Sequence, residues 1–282
     1  MPATFVVVPQ WQGSGSSRAM RLVDGAEAIR GDLPAAATRV IDVPLEAGDS
    51  QGTAVHRLTT IATVRNSLLE HLNHVTGPVI TIGGDCGVEL GAIGRVLDQD
   101  VAVLWFDAHP DANTPESSET GAFHGMVLRT LLGEGSAQLV PPKPLPIERV
   151  VLVGARSSDD AENAYVESSG IRSIGVDDLQ PAVLLAAVEA TGATSVYIHI
   201  DLDVLDPGEF DCVGFPEPFG LSVAALVEAI KAVVARFALI GAGLTEFAPA
   251  SLTQAADDLP TILRILGALN SGPDRTAGAS RE

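Results

Sequence analysis

The stretch VAVLWF, Val101–Phe106, runs straight into DAHPD at Asp107–Asp111, and SVYIHI, Ser195–Ile200, runs straight into DLDVLDP at Asp201–Pro207. Each pair joins a short apolar segment to a cluster of acids. Apolar runs of this length, rich in Val, Ile and aromatic residues and without polar alternation, are the mark of strands buried on both faces. Such strands belong to parallel sheets, and the polar residues at their ends then lie where several loops meet.

Working outward, the same alternation of short apolar run and helical periodicity covers most of the chain. Strands are expected over 4–8, 39–43, 78–82, 101–106, 149–153, 171–173, 195–200 and 239–245. Helices are expected over 18–30, 54–74, 88–97, 125–132, 177–190, 223–235 and 253–266. This pattern predicts an α/β fold, an αβα three-layer sandwich around a mainly parallel eight-stranded sheet. One domain over 1–270 accommodates it, with 271–282, SGPDRTAGASRE, reading as a disordered tail.

The composition narrows the function. A formal charge of -19 lacks the positive footprint that phosphate backbones require, so no nucleic-acid partner is expected. Most of that charge serves as a solvated surface, although its sign also suits a small cationic substrate. Two cysteines in 282 residues, with no charged start leading into an apolar signal segment, argue for a reducing cytoplasm. No apolar run approaches the roughly 20 residues needed to span a bilayer, so no membrane role is expected.

Five expected strand ends carry polar clusters: GGDCG after Ile82, DAHPDANT after Phe106, GARSSDDAE after Val153, DLDVLDP after Ile200 and TEF after Leu244. Asp201 and Asp203, two residues apart, project to the same side of the chain. As an isolated pair they have a solvated loop as their alternative reading. Joined by Asp107, His109 and Asp111 they form a set of like charges that needs a cation, and carboxylates with an imidazole suit manganese better than thiolate-rich zinc sites do. Cys86 stands at the head of the next helix, where it reads either as a small buried hydrophobe or as a thiolate ligand. Cys212, in a Gly/Pro-rich loop, reads as structural.

GGDC, DAHPD, DLDVLDP and TEF, in that order between Gly83 and Phe247, resemble the motifs of the arginase, agmatinase and formiminoglutamase family, the ureohydrolases. The resemblance implies a hydrolase of linear amidines with two Mn2+ per chain. It implies that Cys86, Asp107, Asp111 and Asp201 hold one ion and that Asp107, His109, Asp201 and Asp203 hold the other. It also implies a proton-shuttling role for His124 in FHGM and a guanidinium-pairing role for Glu246 in TEF, with Asp111 a second proton donor. Asn113 and Thr120 match the family's contacts to a substrate carboxylate, while Asp159 and Glu162 match carboxylates that bind the α-amino end. Family members form trimers or hexamers, so a homo-oligomer is expected.

The departures bear on substrate. Cys86 replaces a histidine ligand, Ala122 an asparagine, Phe215 a small threonine, and Ser157 a further aspartate of the family pattern. Retention of Asn113, Thr120, Asp159 and Glu162 favours a guanidine or hydroxyguanidine amino acid. The cysteine resembles one branch of the family in particular, the Nω-hydroxy-L-arginine amidinohydrolases of D-cycloserine biosynthesis, whose reaction yields hydroxyurea and L-ornithine. Arginase, agmatinase, guanidinobutyrase and formiminoglutamase activities are the alternatives within the family. A degenerate homologue that binds without catalysis is the alternative outside it.

Overall fold

The computed structural model describes residues 3–272. Eight strands, β1 (Thr4–Val8), β2 (Thr38–Val40), β3 (Val79–Gly83), β4 (Val101–Phe106), β5 (Val150–Val153), β6 (Arg172–Ile174), β7 (Ser195–Asp201) and β8 (Ala238–Thr245), form one sheet in the order β2-β1-β3-β8-β7-β4-β5-β6. All of its pairings are parallel. The helices are α1 (Arg21–Asp32), α2 (Leu58–Leu72), α3 (Glu89–Gly94), α4 (Val127–Leu131), α5 (Asp160–Ser169), α6 (Pro181–Glu189), α7 (Val223–Arg236) and α8 (Leu252–Leu269).

Strand periodicity sorts the apolar side chains into two cores. Ala102, Leu104 and Phe106 of β4 pack with Ala26 and Ile29 of α1, Leu184 of α6, Ile230 of α7 and Ile265 of α8. Val101, Val103 and Trp105, one residue out of phase, pack with Ile61 and Leu68 of α2, Ile93 of α3 and Leu128 of α4. Burying an aliphatic or aromatic side chain of this size contributes roughly 1.5–3 kcal/mol, which is why both faces of the sheet are covered. The expected αβα sandwich is therefore the observed one, with every described strand parallel.

The differences are local. The helix expected over 54–74 starts only at Leu58, after Arg57 takes a left-handed conformation (φ 58). The one expected over 88–97 is a 3-10 turn, Cys86–Val88, followed by the short α3. Helix α5, between β5 and β6, was not expected, because its sequence DAENAYVESS has a weak apolar stripe. Its signal was present upstream: Asp159 and Glu162 form a capping box in which each side chain accepts the other's backbone N–H. Of the expected tail, 273–282 lies outside the described residues. No helix among the described residues is long and apolar enough to cross a membrane.

Candidate metal centre

Strands β3, β8, β7 and β4 are consecutive neighbours at the middle of the sheet. Their carboxyl ends deliver Cys86, Glu246, Asp201 and Asp107 to one edge, the place where open parallel sheets bind ligands. All four are buried. The Cys86 Sγ lies 3.1 Å from Asp201 Oδ2, and the Cys86 backbone N–H donates to Glu246 Oε1 at 3.2 Å. On the other side of Asp201, the loop after β7 turns back so that Asp203 N–H donates to Asp201 Oδ1 at 2.8 Å. Asp203 Oδ1 accepts from the Ala108 N–H at 3.0 Å, and its Oδ2 stands 3.0 Å from His109 Nδ1. His109 Nδ1 is also 3.6 Å from Asp107 Oδ1.

Three groups of side chains here have ligand atoms within 4.8 Å of one another: Cys86 with Asp201 and Glu246, Asp107 with His109 and Asp203, and Cys86 with Asp107 and His199. Two of them contain only residues singled out in the sequence. Asp111 follows Asp107 on the same loop and is buried, with its Oδ2 lacking a partner among the described residues, as does Glu246 Oε2. Both residues have left-handed backbones, φ 49 at Asp111 and φ 65 at Glu246. Such conformations cost of order 1–3 kcal/mol in non-glycine residues and persist where surrounding structure enforces them. At Glu246 the enforcement includes its N–H donating to Gly84 O at 2.8 Å.

Burial followed by mutual repulsion pushes the carboxyls of Asp201 and Asp111, and that of Glu246, well above the usual range, and burial with the Asp201 charge does the same to the Cys86 thiol. Burial alone would lower the His109 pKa, but hydrogen bonds to Asp107 and Asp203 overcome it and push it up to about 12. A cluster of acids that must hold protons to coexist, with Asp111 Oδ2 left without a partner, fits divalent cations: their charge replaces those protons and gives that oxygen a partner. The donors are mainly carboxylate oxygens with one imidazole and the Cys86 sulfur, and a set rich in oxygen suits hard divalent ions.

His124 lies beside this cluster, its Nδ1 3.8 Å from Glu246 Oε1 and its ring 5.2 Å from that of Phe215. Burial, reinforced by the charge of His109, pulls its pKa down to about 4. Asn113, Asp159 and Glu162 form a separate set. Asn113 Nδ2 donates to Asp159 Oδ2 at 2.8 Å, and Glu162 Oε1 accepts from the Ala112 N–H at 3.0 Å, so both acids also order the loop that carries Asp111. Thr120 is exposed, and its hydroxyl accepts from the Ala122 N–H. Ala122 is buried, whereas Phe215 is 37% exposed. Cys212 is buried, and its carbonyl oxygen accepts from the Ala248 N–H at 2.7 Å.

Sequence reasoning passed over several contributors. Arg156 donates from its guanidinium to the carbonyl oxygens of Asp203 and Glu217 at 2.8 Å each, fixing the DLDVLDP loop. Trp105 Nε1 donates to Asp107 Oδ2 at 3.0 Å. His199 and Glu89 are both 0% exposed, with His199 Nδ1 3.3 Å from Glu89 Oε1. A charged or imidazole side chain inside VYIHI or GVELGAIG, where its neighbours are apolar, was the available signal.

The chain resembles known proteins over nearly its whole length. The model of the arginase family matches residues 18–260. Arginase from Bacillus subtilis (strain 168) is 34% identical over 155 residues, 51% of this chain and 52% of that one. Arginase from Bacillus caldovelox is 32% identical over 194 residues, 63% of each chain. The matched sequence thus spans about half to two thirds of the curated relatives' length. In structure, arginase of Entamoeba histolytica in complex with L-ornithine superposes with a TM-score of 0.84 at 24% identity, over 95% of this chain and 98% of that one.

Proposed function

The chain belongs to the arginase family, and from that premise we propose that it is a ureohydrolase that uses two divalent cations, manganese by preference, to add water to the guanidine carbon of an amino acid. The supporting observation is the convergence of Cys86, Asp107, His109, Asp201 and Asp203 on one sheet edge, beside Glu246 and His124, with Asp111 buried on the loop that follows Asp107. Cys86, Asp107, Asp111 and Asp201 would hold one ion, and Asp107, His109, Asp201 and Asp203 the other, so Asp107 and Asp201 would belong to both sets. When bound, such a pair supplies Lewis acidity and a lowered pKa for water, which makes it nucleophilic at neutral pH.

The remaining work falls to the chain's own side chains. Glu246 offers its unpartnered Oε2 to the guanidinium, orienting the planar group so that one face of its carbon meets the water. His124, held neutral by burial, takes the proton that water sheds and returns it to the departing nitrogen as the tetrahedral carbon collapses. Asp111 is the other proton donor within the same edge. Asn113, Thr120, Asp159 and Glu162 would read the α-amino acid end of the substrate.

The substrate is Nω-hydroxy-L-arginine, cleaved to hydroxyurea and L-ornithine. Cys86 and the aromatic Phe215 give the site a first ligand and a wall unlike those matched to plain arginine, and a hydroxyguanidine, being less basic, is attacked more readily. L-arginine is the second reading, favoured because the relatives named above are arginases. Ornithine release from each substrate, with manganese and after chelation, separates these readings. Faster turnover of the hydroxylated substrate, lost on chelation, is expected; turnover that survives chelation removes the metal mechanism, and faster turnover of L-arginine reverses the substrate assignment.

A further inference from the structure

Cys86 stands where the family pattern has an imidazole, yet an imidazole is present on the same side of the cluster. His199 precedes Asp201 by two residues on β7, so strand periodicity aims both at the same face. Its Nε2 is 3.8 Å from Cys86 Sγ and 3.7 Å from Asp107 Oδ2. These separations are long for strong hydrogen bonds. They are the spacing of neighbouring ligands around one cation bonded at roughly 2.0–2.3 Å.

The far side of the ring faces a carboxylate, one of the partners that metal-binding histidines use. Ligating imidazoles almost always give their other N–H to a carboxylate, a backbone carbonyl or water, which fixes tautomer and orientation. His199 Nδ1 faces Glu89 Oε1 at 3.3 Å, close enough for an ion-pair contact although neither atom has an aligned hydrogen-bond partner among the described residues, and Glu89 Oε2 accepts from the Tyr197 hydroxyl at 2.6 Å. The ring also stacks on Trp105, centroids 3.8 Å apart, so it cannot turn away from the cluster without losing that contact. Room for the carboxylate comes from β8. His199 pairs with Gly243, where a Cβ would lie 1.4 Å from Glu89 Oε1. A charged residue, a glycine and a tyrosine are thus spent on orienting one buried imidazole.

The geometry points to His199 as a ligand of the first metal ion, through Nε2, with Glu89 as its positioning carboxylate. This rests on the two-cation reading given above. In it, β7 supplies the imidazole that the β3 loop does not, and the thiolate of Cys86 joins it with Asp107 on the same ion.

Manganese K-edge X-ray absorption of the loaded full-length chain tests the assignment without reference to turnover. Imidazole scattering from both His109 and His199 is expected in the wild type, falling by about half in His199→Gln. In parallel, equilibrium dialysis should find that His199→Gln keeps one ion and loses the other. Glu89→Gln, which keeps the size and the Tyr197 hydrogen bond, should weaken that ion alone by about 10–100-fold. Should His199→Gln fail to fold, the wild-type spectrum and the Glu89→Gln affinities decide. Two ions bound with the imidazole scattering of a single histidine, and undisturbed by Glu89→Gln, overturn the assignment and leave the two-cation reading intact. A wild-type chain that takes up no manganese removes both.

Discussion

The weight of the site rests on a few acids that no single segment could keep ionised. Asp201 touches Cys86 on one side and the Asp203 backbone on the other, so it is the residue through which the two halves communicate. Replacing it by alanine should lower kcat more than roughly 100-fold, beyond the usual cost of losing an outer partner of a metal ligand; steady-state kinetics together with unchanged far-ultraviolet circular dichroism would establish this. Glu246→Gln keeps the shape and the Cys86 N–H contact but removes the charge facing the guanidinium. Losing one partner of a buried charged pair costs about 2–5 kcal/mol, and the loss should appear in kcat/KM rather than in metal content. These residues were legible because each sits directly after a buried apolar run, where a carboxylate has no structural reason to be. His199, Glu89 and Trp105 were harder to read, since an isolated polar residue within a strand or helix does not disclose what lies across the sheet.

At the scale of elements, β3, β8, β7 and β4 could be drawn from sequence almost to the residue because double-sided burial leaves an unbroken apolar signature. Helix α5 escaped because its apolar stripe is thin and its cap looks like a loop of acids. That cap does two jobs: it starts α5 and, through Asn113 and the Ala112 N–H, holds the loop that carries Asp111. Asp159→Ala should therefore cost about 1 kcal/mol of stability, read as a lower urea midpoint, as for other lost N-caps. The β7–β8 register makes a second demand. Gly243→Ala would drive a methyl group into Glu89, and overpacking of this kind typically costs about 1–3 kcal/mol, visible as a lowered melting temperature of the metal-free chain.

For the whole molecule, the sheet acts as a frame that gathers acids from distant parts of the sequence and the cations relieve the repulsion this creates. Ions that bind only the folded state stabilise it by mass action, by about 2.7 kcal/mol at a hundred times the dissociation constant. The melting temperature should thus rise with added manganese and fall on chelation; a chain indifferent to both would have satisfied its acids in some other way. The most direct measurement is anomalous diffraction at the manganese edge from crystals grown with that ion. Two peaks are predicted, both adjoining Asp107 and Asp201, one beside Cys86 and the other between His109 and Asp203. A map with no peak among these residues, or with manganese bound only elsewhere on the surface, would contradict the account.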